Sequence, residues 1–459
     1  MVALTSLLLL LFATDIMSFT KFLSRKFSSN SCRMSNFRLR SQKTAPKKFS
    51  AFPFQYHEEL IVTIEDVTNL GLGVARAKIA DGQSWVVMVP LVLPGETVKV
   101  SIHRNNKNYS EADLVEVLEP SQDRVMPLCK YFSECGGCQY QHMSIDAQRM
   151  WKREQVSSLL EKIGGIENVE VDQAIGTSDH LYGYRAKLTP HYNAPRSSND
   201  LKVGFQKRGT RIIVDIDKCV IATPDINNKY ANIRSTLNEA VKLKLPKNGA
   251  TLLFRECDEG IITDQRASVS HTLGDIKFYF KAGEFFQNNY HVLPLLVDYV
   301  VQVAQGDGCN RLIDAYCGSG LFALSASKYF ESVSGVEVSE IAVNAAIETA
   351  KLNGITNSEF LCGSSENIFS KVSHLPADQT VIILDPPRKG CDEVFLNQLV
   401  SFRPKKIVYV SCDPATQARD AKFVVSNGYS IQKVQPFDLF PQTRHIENVI
   451  TFIRNGAEL

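Results

Sequence analysis

No internal run of 18 apolar residues occurs in the 459-residue chain, so no membrane-spanning helix is expected in its folded part. No internal repeat or long low-complexity segment is present either, which excludes a repeat array. Eleven cysteines are too few for a disulfide scaffold; they point to a reducing compartment and to metal or thiol chemistry. Asp and Glu are missing from residues 16–57, which carry nine Lys/Arg and eight Ser. That composition, behind the short apolar segment ALTSLLLLLFA (3–13), is that of an organelle transit peptide. Residues 1–57 are therefore expected to be a presequence or basic tail. The mature protein is placed in a plastid or mitochondrion, with the cytoplasm as the alternative, and off the membrane. The net charge of +2 conceals an acidic body. Setting the nine tail cations aside leaves 42 basic against 49 acidic residues, a net −7. Binding of a nucleic acid must then come from a local basic groove.

Residues 58–120 hold short β-rich segments (ELIVTIEDV, GLGVARAKI, SWVVMVP, ETVKVSIHR) punctuated by Gly71, Gly73 and Pro94-Gly95. Several strands in about 60 residues predict a small OB-like β-barrel. Apolar residues at helical spacing predict a helix within 141–166, through Met150, Trp151, Val156, Leu159, Leu160 and Ile163. The central segment, 121–286, reads as mixed α+β. From 287 onward strands and helices alternate, which predicts a parallel, doubly wound α/β sheet.

Four motifs carry chemistry. CKYFSECGGCQYQH spaces Cys129, Cys135 and Cys138 as C-x5-C-x2-C, around two glycines that let the backbone wrap. With Cys219 as the fourth thiolate, the set suits an iron–sulfur cubane or zinc. DAYCGSGLF (314–322) follows a strand and opens a helix, with Gly318 and Gly320 allowing close backbone approach to a ligand. It lacks the third glycine of a dinucleotide fingerprint. Glu337 ends the next strand, where a carboxylate can accept from a ribose diol. The loop suits S-adenosylmethionine and a nicotinamide nucleotide alike. ILDPPRKG brings Asp385, Arg388 and Lys389 to the end of another strand, the cations being placed for a phosphate backbone. YVSCDPAT puts Cys412 where a buried strand opens onto a loop. YGYRAKL (182–188) and GFQKRGTR (204–211) add aromatics and cations able to meet RNA.

Together and in this order the four motifs resemble those of the RNA uracil-5 methyltransferase family, from about residue 60 to the C-terminus. The GLGVAR and VPLVLPGETVKV segments look like its TRAM barrel. Barrel and cysteines together are most similar to the iron–sulfur ribosomal-RNA branch. The resemblance implies a Rossmann-like methyltransferase domain over 287–459, and methyl transfer from S-adenosylmethionine to C5 of a uridine in RNA, with rRNA favoured and tRNA as the alternative. It implies Cys412 as the nucleophile and Glu447, in HIENV, as the base. Gln287 in FFQNN, Tyr316, Glu337 and Asp385 match cofactor contacts, and Cys129, Cys135, Cys138 and Cys219 match ligands of a 4Fe-4S cluster. Leu321 stands where many members carry a cofactor-contacting asparagine. The competing readings are a nicotinamide-dependent iron–sulfur oxidoreductase, in which Cys412 and Glu447 have no role, and a non-catalytic RNA-binding or RNA-folding protein.

Overall fold

The computed structural model describes residues 50, 52–80, 82–194, 201–242, 248–363, 369 and 372–456. The presequence expected over 1–57 lies almost wholly outside them. No helix among the described residues is long and apolar enough to cross a membrane.

Strands β1 (Glu59–Val67), β2 (Leu72–Lys78), β3 (Ser84–Pro90), β4 (Thr97–Asn105) and β5 (Tyr109–Glu119) close into a barrel in the order β1-β2-β3-β5-β4. Alternate residues such as Val62, Ile64, Val87, Val89, Val98 and Val100 point inward and fill it. Helix α1 (Ile145–Lys162) follows the cysteine loop, with Ser144 as its N-cap. The central region then carries short antiparallel sheets and helix α2 (Pro224–Lys242).

The hairpin Ser268–Leu273/Ile276–Lys281 leads to helix α3 (Leu293–Ala304) and a seven-stranded sheet. Its elements are β6 (Arg311–Ala315), α4 (Leu321–Ala326), β7 (Ser332–Glu337), α5 (Glu340–Leu352), β8 (Ser358–Cys362), β9 (Thr380–Leu384), α6 (Glu393–Phe402), β10 (Lys406–Ser411), α7 (Pro414–Ser426), β11 (Tyr429–Phe437) and β12 (Glu447–Arg454). Strand order is β8-β7-β6-β9-β10-β12-β11, parallel except for β12, which runs antiparallel to both neighbours. TVIIL and KIVYVS are buried throughout because helices cover both faces. Leu312, Val381, Ile383 and Val408 pack toward α3, α4 and α5. Ile313, Ile382, Leu384, Ile407 and Tyr409 pack toward α6, α7 and α1. The strand reversal next to β6 opens a crevice at the carboxyl ends of the strands, the usual ligand position in such sheets.

Candidate active site

Strands β6, β7, β9 and β10 all end at this edge, so DAYCGSG, Glu337, DPPRKG and Cys412 arrive there together. Tyr316 turns the chain with a left-handed φ of 67°, while the Tyr316 and Cys317 N–H groups donate to the Val336 carbonyl at 3.0 and 3.1 Å. The two loop glycines serve different ends. A side chain at Gly320 (φ 82°) meets Leu324 Cδ1 at 2.9 Å and Ala346 Cβ at 3.1 Å, so this glycine lets α4 approach α5. Gly318 (φ 53°) faces open space and leaves the room a ligand needs.

Three carboxyl groups line the edge. Glu337 Oε2 accepts from the Gly318 N–H at 3.2 Å and Oε1 from the Ser339 N–H at 2.8 Å. Burial pushes the Asp385 carboxyl up to about 7. Asp314, the first residue of DAYCGSG, was not singled out by the sequence reading. It is fully buried; Oδ2 accepts from the Ala323 N–H at 2.9 Å, and Oδ1 has no partner among the described residues. Burial first, then the charges of Asp385 and Glu337, raise it to about 8. The signal for it was its place at the end of a buried strand.

Gln287 is buried, and its amide makes no hydrogen bond among the described residues. Its neighbours dock the segment: the Ala186 N–H donates to the Asn288 carbonyl at 2.8 Å, and Asn289 Nδ2 to the Leu439 carbonyl at 2.8 Å. The ring of Tyr316 packs on Phe395 of α6, with centroids 5.2 Å apart, and not free in the crevice.

Cys412 directly follows β10 and is half-buried. Strands β10 and β12 pair Lys406 with Ile453 through to Ser411 with Asn448. One more step of that register sets Cys412 opposite Glu447, the first residue of β12. Asp413 Oδ1 caps α7 by accepting from the Ala415 and Thr416 N–H groups at 3.1 and 3.2 Å. Thr416 Oγ1 donates to the Arg388 carbonyl at 3.1 Å and ties DPPRKG to the same helix. Burial, then the charges of Glu447 and Asp385, push the Cys412 thiol up to about 12; the Arg388 guanidinium, hydrogen-bonded to it, acts the other way. Burial and Asp385 raise the buried Glu447 carboxyl well above its ordinary range, again opposed by Arg388. The sequence thus brought four groups to one place: thiol, two carboxyls and guanidinium.

The loop before Glu447 is held from below by α1. Lys152 Nζ lies 2.5 Å from Asp438 Oδ1, both fully buried. The Gln442 N–H donates to Gln148 Oε1 at 2.8 Å, and Gln148 Nε2 to Gln442 Oε1 at 3.1 Å.

A family model described as tRNA (Uracil-5-)-methyltransferase matches residues 238–455, and one described as TRAM domain matches residues 55–115. A Schizosaccharomyces pombe tRNA (uracil(54)-C(5))-methyltransferase is 39% identical over 425 residues, covering 88% of this chain and 79% of the relative. The chain belongs to the RNA uracil-5 methyltransferase family. It is an S-adenosylmethionine-dependent enzyme that methylates uracil C5 in RNA. A Saccharomyces cerevisiae protein of the same name as the S. pombe relative is 33% identical, covering 86% of this chain and 74% of its own. An RNA methyltransferase from Halalkalibacterium halodurans, otherwise uncharacterised, is 32% identical, with 86% and 97% covered. The fold is that of the Pyrococcus abyssi tRNA (uracil-54, C5)-methyltransferase solved with S-adenosyl-L-homocysteine: TM-score 0.66, 23% identity, 86% of this chain and all of that one covered.

In this methyltransferase Cys129, Cys138 and Cys219 pack beside Phe132, Tyr184 and Ile221, and Cys135 lies within electrostatic reach of the other three. Burial dominates the rise of all four thiols, and Cys138 is further raised by Cys219, Cys135 and Cys129. The hairpin bearing GFQKRGTR seals the loop: the Gly136 N–H donates to the Gln206 carbonyl at 3.0 Å, and the Arg208 N–H to the Glu134 carbonyl at 3.1 Å. Among the described residues, however, no group of three or more His, Cys, Asp or Glu side chains is disposed to hold a metal ion. The iron–sulfur part of the expected architecture is therefore not displayed by the side-chain arrangement.

Proposed function

We propose that Cys412 attacks C6 of a uracil extruded from RNA, and that Glu447 completes the methylation at C5. The observation that carries this is the pairing register that sets the thiol opposite the carboxyl, with Arg388 reaching both. Uracil C5 is too weak a nucleophile unaided. Bonding of the Cys412 sulfur to C6 places electron density at C5, which takes the methyl group from the sulfonium and leaves S-adenosylhomocysteine. Glu447 then removes the C5 proton; its electron pair restores the C5–C6 double bond and expels the thiolate. A carboxyl with a raised pKa is the stronger proton acceptor once ionised, which suits that step. Asp385, Glu337 and Gln287 are the candidate cofactor contacts, with Tyr316 shaping the turn; the acidic edge they share with Asp314 suits a cation-bearing nucleoside.

The substrate we propose is a tRNA uridine, because the fungal relatives carry the name tRNA (uracil(54)-C(5))-methyltransferase. The ribosomal-RNA preference expected from the barrel and cysteines finds no such support. We also propose that the four thiols hold an iron–sulfur cluster. The support for this is the donor set itself, sulfur alone, which suits an iron–sulfur cluster. Bound there, it would staple the cysteine loop to the hairpin and take no part in methyl transfer. Iron and sulfide analysis of anaerobically purified protein tests it.

The function is tested with labelled S-adenosylmethionine and a tRNA transcript. Label is expected in 5-methyluridine, and a transcript containing 5-fluorouridine is expected to become covalently trapped. Cys412→Ser abolishes both. Undiminished trapping by that variant would overturn the mechanism.

A further inference from the structure

We infer that Arg444, next to His445 in the chain, and Arg185, over the Phe440 ring that His445 meets edge-on, form a cradle for the phosphodiester attached to the extruded uridine; this rests on the function proposed above. Several cations withdrawn from solvent have carboxylate partners: Arg124 with Glu96 at 2.5 Å, Arg234 with Asp215 at 2.6 Å, Lys406 with Asp307 at 2.7 Å, and Lys152 with Asp438; the buried guanidinium groups of Arg255 and Arg208 have none, but lie away from the Cys412–Glu447 pair. Arg185 and Arg444 are half-buried and make no ion pair among the described residues. Arg185 donates from Nε to the Lys187 carbonyl at 3.1 Å and lays its guanidinium over the Phe440 ring, 5.9 Å from the centroid. Its two terminal nitrogens remain unspent. Arg444 donates from Nη1 to the Asn69 carbonyl at 3.2 Å, leaving Nε and Nη2. An uncompensated, partly desolvated cation is costly unless an anion arrives.

Both guanidinium groups act on one imidazole. His445 stands edge-on to Phe440, with ring centroids 6.1 Å apart. Burial, then Arg388, Arg444, Lys152 and Arg185, lower it to about 3, so it stays neutral and keeps one N–H to donate. Of these four cations Lys152 is satisfied by Asp438, and Arg388 faces the Cys412 thiol and Glu447. Arg185 and Arg444 are left without a carboxylate partner in this group, although the charge of Arg185 also acts on the Cys219 thiol.

The chemistry of the missing anion follows from position. His445 lies two residues before the base opposite Cys412. A uracil delivered to that sulfur brings its own phosphodiester within one nucleotide's length. Guanidinium forks match phosphate oxygens bidentately, and the aromatic face beneath Arg185 keeps its fork aligned. The carboxylate of the methionine moiety is the competing anion. The cofactor loop lies at the ends of β6 and β7, on the far side of β9 from β12, and the S-adenosylmethionine affinity of the variants below reports whether that carboxylate uses either arginine.

The test uses full-length protein and two tRNA stem-loops, one native and one with an uncharged methylphosphonate flanking the target uridine. For the wild type the neutral linkage is expected to raise Kd by ~10-fold, the loss of a charge-assisted contact. Arg185→Met is expected to raise Kd for native RNA similarly, to show little further loss with the neutral linkage, and to lower the slope of log K against log salt by about 0.7–0.9. Its affinity for S-adenosylmethionine stays unchanged, which also reports intact folding. Arg444→Met is read the same way should Arg185→Met fail to fold. Equal losses from the neutral linkage in wild type and variant, or weakened S-adenosylmethionine binding with RNA binding intact, would overturn the cradle. Failure of the functional proposal is separate: wild-type protein would then leave no 5-methyluridine in the native stem-loop.

Discussion

At the scale of single residues, the site concentrates opposed demands on Cys412. The thiol must ionise to attack, yet burial and two neighbouring carboxyls hold it protonated at about 12. Arg388 alone among its named neighbours works toward the thiolate. In the protein without RNA, alkylation of Cys412 by iodoacetamide is therefore expected to rise about tenfold per pH unit between pH 7 and 9, with no plateau, because the reactive fraction is still small throughout. Arg388→Gln removes the opposing cation, moves the thiol higher still, and slows alkylation at pH 8 by about threefold or more, half a pKa unit. A plateau below pH 8, or faster alkylation in the variant, contradicts the electrostatics. Glu447 acts after the methyl group has arrived, so Glu447→Gln is expected to stop the reaction with the RNA still attached. With ordinary uridine in the transcript, a denaturation-stable protein–RNA complex carrying the labelled methyl group should accumulate on a gel. Accumulation of free methylated RNA at the wild-type rate would remove Glu447 from its proposed role.

At the scale of elements, the order of βα units and the strand ends carrying Glu337, Asp385 and Cys412 were legible from apolar runs and Gly/Pro punctuation, because a parallel sheet buried on both faces writes itself as unbroken hydrophobic segments. Helix α1 shows where that legibility ended. Its buried positions include Gln148, Lys152 and Gln155, while Met150 and Ile163, placed by apolar spacing on the packed face, are each 41% exposed. The reason is that the partners are distant in sequence: Gln442, Asp438 and the Val67 carbonyl. A periodicity of apolar residues cannot report polar groups that are buried only because another segment satisfies them. The same holds for His445, whose surroundings include cations from three other stretches, at Arg388, Lys152 and Arg185. The Lys152–Asp438 pair is where α1 grips the loop leading to Glu447, and its loss should be felt there. Lys152→Met leaves Asp438 buried with only Arg149, 3.4 Å away, for compensation. A cost of about 3–5 kcal/mol follows, read as a lowered Tm. Restoring neutrality with Lys152→Met/Asp438→Leu should recover much of it. A double variant as unstable as the single would show that packing, not charge, is what the pair provides.

At the scale of the whole molecule, the barrel is joined to the catalytic edge and is not a tethered appendage. Gln155 of α1 donates to the Val67 and Thr68 carbonyls, both at 3.3 Å, and Arg444 reaches the Asn69 carbonyl. The turn between β1 and β2 therefore sits against both α1 and the loop before Glu447. With an acidic body of net −7 outside the basic tail, RNA must be drawn by this local surface, and the barrel's placement decides whether Arg444 and His445 are presented to it. Gly71 makes the approach possible. Its φ of 75° closes the turn, its N–H donates to the Thr68 carbonyl at 2.8 Å, and a Cβ there lies 2.9 Å from Gln139 Cβ. Gly71→Val adds both a strained backbone and a collision with the segment carrying Tyr140 and the cysteine loop. It is expected to prise the turn away, raise Kd for tRNA by ~10-fold, and leave S-adenosylmethionine affinity within about twofold, since the loops after β6 and β7 make no hydrogen bond to the barrel among the described residues. Calorimetric titration of each ligand separates the two. If S-adenosylmethionine binding falls in parallel with RNA binding, the barrel turn supports the whole fold and not the RNA surface alone.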